Sequence, residues 1–517
     1  MEHDVASIPD DRDQTPLEDF LDCNPNVKFV ECIWVDYFGI TRMRKMTTSR
    51  AVELASSRNG YLTLNPSSMA NHLEGAPIPD LSNPGVDRMR PDWSSLRLMG
   101  DDATRAAVIC WYMGKEILTR HPLPAGLLQP QPPCEDEGSP GRCPRTALKK
   151  MLRIGQAAHS AHFRIGFELE FYLLEEAYDP AEPGDDHGDD EAQHDRAAAP
   201  SKPSKKDRGH SDPRTYWNTA SSLRGRAGAC LEACVSSLEA CGIPVEHFHS
   251  NGGGGGGGGD NGAQKYKISL SHQPPIPAAD SLILSMEIIK RVAISHNLYA
   301  TFFPKPFPDT SSSNNNNNSN NTTTTTPVTA ISRLHTHISI HGVPDSSCSS
   351  FLAGTLHRLP LLTALSLPHI TSYHPHNPSG GWVSWGTENR STAIRQISPS
   401  HWETRIPDCA SNIYLALSIF LAAGILGIRD KTPLLWEDCR ANVGAMNGFE
   451  RLESGINTRL PDGLDASLKI INGGFQGLEQ VLGAGILEYY RALRRADRDH
   501  GARVGRRAVE CFLAKEF

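Results

Sequence analysis

The chain has 517 residues, enough for two or three ordinary domains and a large core. Its 51 Lys and Arg against 59 Asp and Glu give a net charge of −8. No run of five basic residues occurs, which argues against nucleic acid as the main partner. The first twenty residues hold Asp4, Asp10, Asp11 and Asp13 and no apolar stretch, so no secretory leader is read there. Twelve scattered cysteines without a CxxC pair fit reduced thiols, and the expected location is cytoplasmic.

Taken in chain order, residues 1–15 read as a polar, disordered tail. Val27 to Met46 reads as two strands joined by a turn at Gly39, and Ser95 to Met113 repeats that character. Together they predict a small β-rich domain over 16–119. A Pro- and Gly-rich linker over 120–143 follows, and Pro144 opens a helix. Low-complexity segments at 179–212, 252–262 and 308–327, one with eight consecutive glycines, read as insertions between core elements. Helices are expected over Leu231 to Cys241, over Asp280 to Leu298 with Asp280 as N-cap, and over Leu464 to Arg495 with a break at Gly473-Gly474. Ala410 to Ile428 is uncharged for nineteen residues, long enough for a membrane span. Its Ser411, Asn412, Tyr414 and Ser418, and the charged run just before it, favour a buried helix and no membrane partner. Helices and strands mix without strict βαβ alternation, which predicts an α+β fold.

Three stretches carry chemistry. In Phe163 to Leu173 every odd residue is apolar, so a strand places Glu168 and Glu170 on one face about 7 Å apart. Two such carboxylates repel unless a cation lies between them, and oxygen ligands suit Mg²⁺ or Mn²⁺. A solvent-facing strand edge is the other reading. In Leu334 to Ile340, His335, His337 and Ser339 share a face; paired histidines can bind metal or stay merely hydrogen-bonded. Trp385 to Asp408 holds Arg390, Arg395 and Arg405 with Glu403, a density that fits phosphate or carboxylate recognition or a surface ion-pair network.

Together with the segments PVEHFH, AADSLI, YATFFPKP, SWGTENRSTAIR, ETRIPD and NIYLALSIFLAAG, in that order along the chain, these stretches resemble the glutamine synthetase superfamily, nearest to its fungal glutamine-synthetase-like group. The resemblance covers about residues 26 to 495 outside the insertions. It implies an N-terminal β-grasp domain, then over 144–517 a catalytic domain built on an antiparallel, barrel-like sheet with surrounding helices. It implies an ATP-dependent carboxylate–amine ligase: glutamate, ammonia and ATP, or a related acid and amine, passing through γ-glutamyl phosphate. Glu168, His335 and Glu403 match ligands of the metal that holds the ATP phosphates, and Glu170 a ligand of its neighbour. Arg390 and Arg395 match nucleotide-phosphate arginines. Arg405 matches an arginine near the transferring phosphate, and Asp36 the acid that binds and deprotonates ammonium from a neighbouring subunit. A ring-shaped homo-oligomer is implied as well.

Five positions depart from the family pattern. Asn251 and Lys267 stand where two further metal-binding glutamates are expected, and Lys265 stands in place of a glutamine. Arg333 ends the stretch Ala330-Ile331-Ser332-Arg333, where the family has a glycine-containing loop, and Pro375 replaces a substrate arginine. A neutral group and a cation in place of two anions weaken the hold on the glutamate-side ion. Two outcomes are therefore expected of the site: a ligase with altered substrates, or a catalytically impaired relative with a regulatory or interaction role.

Overall fold

A computed structural model describes residues 15–57, 60–70, 78, 85–114, 142–175, 218–251, 264–304, 332–373, 381–505, 509–510, 513 and 516–517. The tail apart from Thr15, the linker apart from Arg142 and Cys143, and the three low-complexity insertions lie outside the described residues.

The first unit begins with α1 (Pro16–Cys23), which Thr15 caps reciprocally with Glu18. Then come β1 (Phe29–Val35), β2 (Thr41–Thr47), α2 (Thr48–Ser56), β3 (Leu62–Leu64), β4 (Asp87–Pro91), β5 (Arg97–Met99) and β6 (Asp102–Gly114). The sheet runs β2-β1-β6-β4-β3, with β5 also on β6, and β1 lies parallel to β6. The β1–β2 hairpin turns at Gly39, whose φ is +79°. A Cβ there would stand 2.0 Å from the Ala410 carbonyl oxygen, so glycine meets both the backbone conformation and the close approach of a distant loop.

The larger unit contains α3 (Pro144–His159), β7 (His162–Leu174), α4 (Gly225–Ala240), β8 (Val245–Ser250), β9 (Gln264–Gln273), α5 (Pro275–Ser295), β10 (Tyr299–Thr301) and β11 (Leu334–His341). It continues with α6 (Asp345–Ser366), β12 (Trp385–Thr387), β13 (Ile394–Ser398), β14 (His401–Thr404) and α7 (Ile413–Arg429), then α8 (Gly448–Glu453), α9 (Leu464–Asn472), α10 (Leu478–Leu482) and α11 (Ala484–Val504). Its sheet runs β12-β13-β14-β11-β7-β9-β8, with β10 also on β7, and is antiparallel except between β12 and β13. The fold is α+β, as the sequence predicts.

The apolar segment is the buried helix α7, and among the described residues no helix is long and apolar enough to cross a membrane. It packs on α6, where Gly354 and Gly427 let the two backbones touch. Asp280 is not an N-cap. Helix α5 starts a turn earlier on the prolines at 275 and 277, whose fixed φ and missing N–H suit a first turn. That shift buries Asp280, whose carboxylate accepts from Arg145 at 2.7 and 3.1 Å and from the Tyr414 hydroxyl at 2.5 Å. The C-terminal helix breaks near Gly473-Gly474 as expected, into α9, α10 and α11.

Candidate active site

Strand β7 is the organising element. It lies between β11 and β9 and is not an edge, which removes the solvent-facing reading of its two glutamates. Register does the rest. Glu168 stands opposite His335 on β11, and Glu170 opposite Lys267 on β9. On the next strand Glu403 pairs with His337, and Arg395 on β13 pairs with Glu403. Because paired residues project to the same face, groups from five strands converge on one side of the sheet.

The convergence is close. His335 Nδ1 lies 2.8 Å from Glu168 Oε2 and 3.2 Å from Glu403 Oε1. Arg395 donates to Glu403 at 2.9 Å and Arg405 at 2.8 Å. The Lys267 ammonium sits 2.7 Å from Glu168, 3.5 Å from Glu170 and 3.2 Å from His335 Nδ1. Glu170 receives Lys265 at 2.6 Å, the Asn251 amide at 2.6 Å and the Arg333 backbone N–H at 3.1 Å. Glu403 is buried, so the arginine cluster is no surface network. Arg390 is exposed on the β12–β13 turn, and its carbonyl accepts from Arg405.

Burial alone would raise the pKa of each carboxylate, yet the neighbours override it and hold all three well below the usual range. At Glu168 these are His335, His337 and Lys267; at Glu170 Lys265, His335 and Lys267; at Glu403 His335 and Arg405. Burial pushes Lys265 down against the pull of Glu170. It also pulls Arg333 down to about 10, with Glu170 opposing and Arg405 assisting.

This donor set fits one divalent ion and not two. On one side Glu168, Glu403 and an imidazole keep ligand spacing; Glu168, His337 and Glu403 each bring a donor atom within 4.8 Å of the others. On the other side both oxygens of Glu170 are already held, with the Lys265 ammonium against one and the Lys267 ammonium between Glu170 and Glu168, so Lys267 also borders the one-ion side. The side chains there are cationic where a second ion needs anions.

Of the other expected residues, Asp36 is fully buried in the first unit. Its carboxylate accepts from the Phe38 and Ile40 backbone N–H groups and pairs with Arg42 at 2.8 Å. Its carbonyl accepts from Asn412, which ties the turn to the start of α7. Pro375 lies outside the described residues.

Two residues escape a reading of the sequence, His272 and His401. With His337 they bring one ring nitrogen each within 4.8 Å of one another. His401 shares the parity of Glu403 and is findable on that ground. His272 has the wrong parity relative to Lys267. It reaches the face only through a bulge, where Ile165 and Phe167 on β7 oppose Gln273 and Leu270 on β9.

Residues 141–506 match the family described as "Glutamine synthetase, catalytic domain", and the chain belongs to that family. Among curated relatives, Protein fluG of Emericella nidulans is 26% identical over 508 residues, covering 97% of this chain and 50% of its own length. The chain thus spans half of that fungal relative. Glutamine synthetase of Methanococcus maripaludis is 26% identical over 379 residues, covering 69% of this chain and 71% of its own. Among solved structures, "GmaS/ADP complex-Conformation 1" superposes with a TM-score of 0.68 at 19% identity, covering 95% of this chain and 98% of that one. "Crystal structure of novel glutamine synthase homolog" gives 0.66 at 21%, covering 95% and 99%. These two likenesses establish the fold.

Proposed function

We propose that the chain is an ATP-dependent carboxylate–amine ligase of the glutamine synthetase type, using one divalent ion, Mg²⁺ or Mn²⁺, and an acid other than glutamate. The observation that carries this is the convergence of Glu168, His335 and Glu403 with Arg395 and Arg405 on one sheet face. Glu168, Glu403 and His335 would hold the ion, which supplies charge neutralisation at the ATP phosphates. Arg390 and Arg395 bind phosphate oxygens, and Arg405 faces the group in transfer; guanidinium forks match phosphate geometry. Lys265 and Lys267 take the place of the second ion as fixed cations beside the acid substrate. Arg333 narrows the acid pocket where the family has glycines, which favours a different carboxylate. Asp36 would serve the amine from a neighbouring subunit of a cytoplasmic homo-oligomeric ring, a role carried by family likeness alone. The fold neighbour GmaS is a complex with ADP, which is consistent with a nucleotide in the corresponding cleft here.

A second reading has one observation behind it. Glu170 is saturated by Lys265, Asn251 and the Arg333 N–H, which fits a relative that binds nucleotide without catalysis. ATP-dependent phosphate release, measured with Mg²⁺ or Mn²⁺ across a panel of carboxylates and amines, separates the two. Release that needs one acid and one amine other than glutamate and ammonia is the expected result. Release with glutamate and ammonia overturns the altered substrate. ATP binding without release for any pair gives the second reading.

A further inference from the structure

Beside the carboxylate centre, and overlapping it at His337, lies the cluster of His272, His337 and His401. We propose that these three histidines form a binding site for a late first-row divalent ion, Zn²⁺ foremost, that clasps β9, β11 and β14 together.

Geometry carries the case. His337 Nδ1 and His401 Nε2 are 3.1 Å apart. Two Zn–N bonds of ~2.0–2.1 Å at a tetrahedral angle separate their nitrogens by about 3.3 Å, so this pair is already at ligand spacing. The third ring, His272, lies edge-on to both, with centroids 5.6 Å from His337 and 5.1 Å from His401. Its Nε2 is buried and has no hydrogen-bond partner. An orphaned buried nitrogen beside two imidazoles is costly unless something satisfies it.

The surroundings are built for this use. Gly166 lies on β7 opposite His337, and a Cβ there would stand 2.8 Å from both Cε1 and Nε2 of His272. The glycine is the slot through which His272 reaches across β7. Outer carboxylates stand behind two of the rings. Glu246 faces His272 Nδ1 at 3.6 Å, and Glu168 faces His337 Nε2 at 3.5 Å. Such outer carboxylates fix the tautomer that turns the other nitrogen toward a metal. Three imidazoles with no carboxylate in the inner set select Zn²⁺, Ni²⁺ or Cu²⁺ over Mg²⁺ or Ca²⁺, and a fourth position remains for water.

The test is a Zn²⁺ titration of the untagged, chelator-stripped full chain carrying Glu403→Gln, in which the carboxylate centre lacks one of its ligands. Calorimetry gives the stoichiometry, and Co²⁺ gives a visible ligand-field spectrum. One equivalent of Zn²⁺ is expected, with a rise in the thermal midpoint. Added to Glu403→Gln, His401→Gln and His272→Gln should each weaken Zn²⁺ binding roughly tenfold or more. His272 is partly exposed, so its variant tests the site even where His401→Gln misfolds. Unchanged Zn²⁺ affinity on adding His272→Gln, or no Zn²⁺ bound by the Glu403→Gln chain, overturns the proposal.

Discussion

Lys267 concentrates the chemistry of this chain. Its ammonium is held by Glu168, Glu170 and His335, all of them largely buried. Lys267→Met removes one partner of a buried network and leaves two carboxylates without their shared cation. A loss of about 3–5 kcal/mol is expected, measurable as a fall in the urea midpoint with unchanged slope. Restoring anions has the opposite aim. The double substitution Asn251→Glu with Lys267→Glu rebuilds the acidic set on the Glu170 side. Mn²⁺ bound in the carboxylate cleft, counted by electron paramagnetic resonance, should rise from one per chain to two. A count that stays at one would show that Lys265 alone suffices to exclude the second ion. The sequence displays these residues plainly, because period two places Lys265 and Lys267 on one face. It does not display their partners, since a cross-strand bond depends on register between segments far apart in the chain.

At the level of elements, the legible parts are those with strong local signals. Pro144 opening α3, the alternation of β7 and the uncharged run of α7 are all where the sequence puts them. The start of helix α5 is not legible, because Asp280 is a good N-cap by type and only the buried Arg145 reveals its real employment. Helix α6 gives no clear stripe, being apolar nearly all round, with Pro360 inside it. Its contact with α7 passes through glycines. A Cβ on Gly354 would lie 2.5 Å from both the Ala423 carbonyl oxygen and the Gly427 Cα. Neither obstacle is a flexible side chain, so Gly354→Ala forces the helices apart. A cost of roughly 1–3 kcal/mol is expected from overpacking, read by thermal denaturation. A neutral or stabilising result would mean the helices can slide apart freely.

For the whole molecule, the two units meet where the Gly39 turn touches the loop leading into α7. Two buried acids flank that contact, and burial pushes both Asp36 and Asp408 up to about 6. An acid whose folded pKa is raised favours the folded state when protonated. Its contribution is fully present below the unfolded value of 3.8 and is lost as pH rises through about 6. Two histidines oppose this trend: burial lowers the half-buried His401 to about 4 and the buried His369 to about 3, so their contribution fades as pH falls below 6.5. The aspartate effect is therefore read as a difference. Oδ2 of Asp408 is buried without a partner, and Oδ1 accepts from the Ala410 N–H, a bond asparagine can keep. Asp408→Asn should gain up to about 3 kcal/mol over wild type at roughly pH 7.5, and the gain should vanish by about pH 4. An equal difference at both pH values would show that Asp408 titrates normally.

The lysines of β9 have a consequence for supply. A divalent ion is borrowed from solution; it exchanges, responds to chelators and follows the pool outside. An ammonium on a strand does none of these. On the proposed one-ion reading, half of the positive charge that this cleft would otherwise import is inherited with the polypeptide, so starvation for manganese or magnesium would reach only the other half. The same permanence limits what enters: a guest too weakly charged to draw Lys265 and Lys267 away from Glu170 meets a cleft already satisfied.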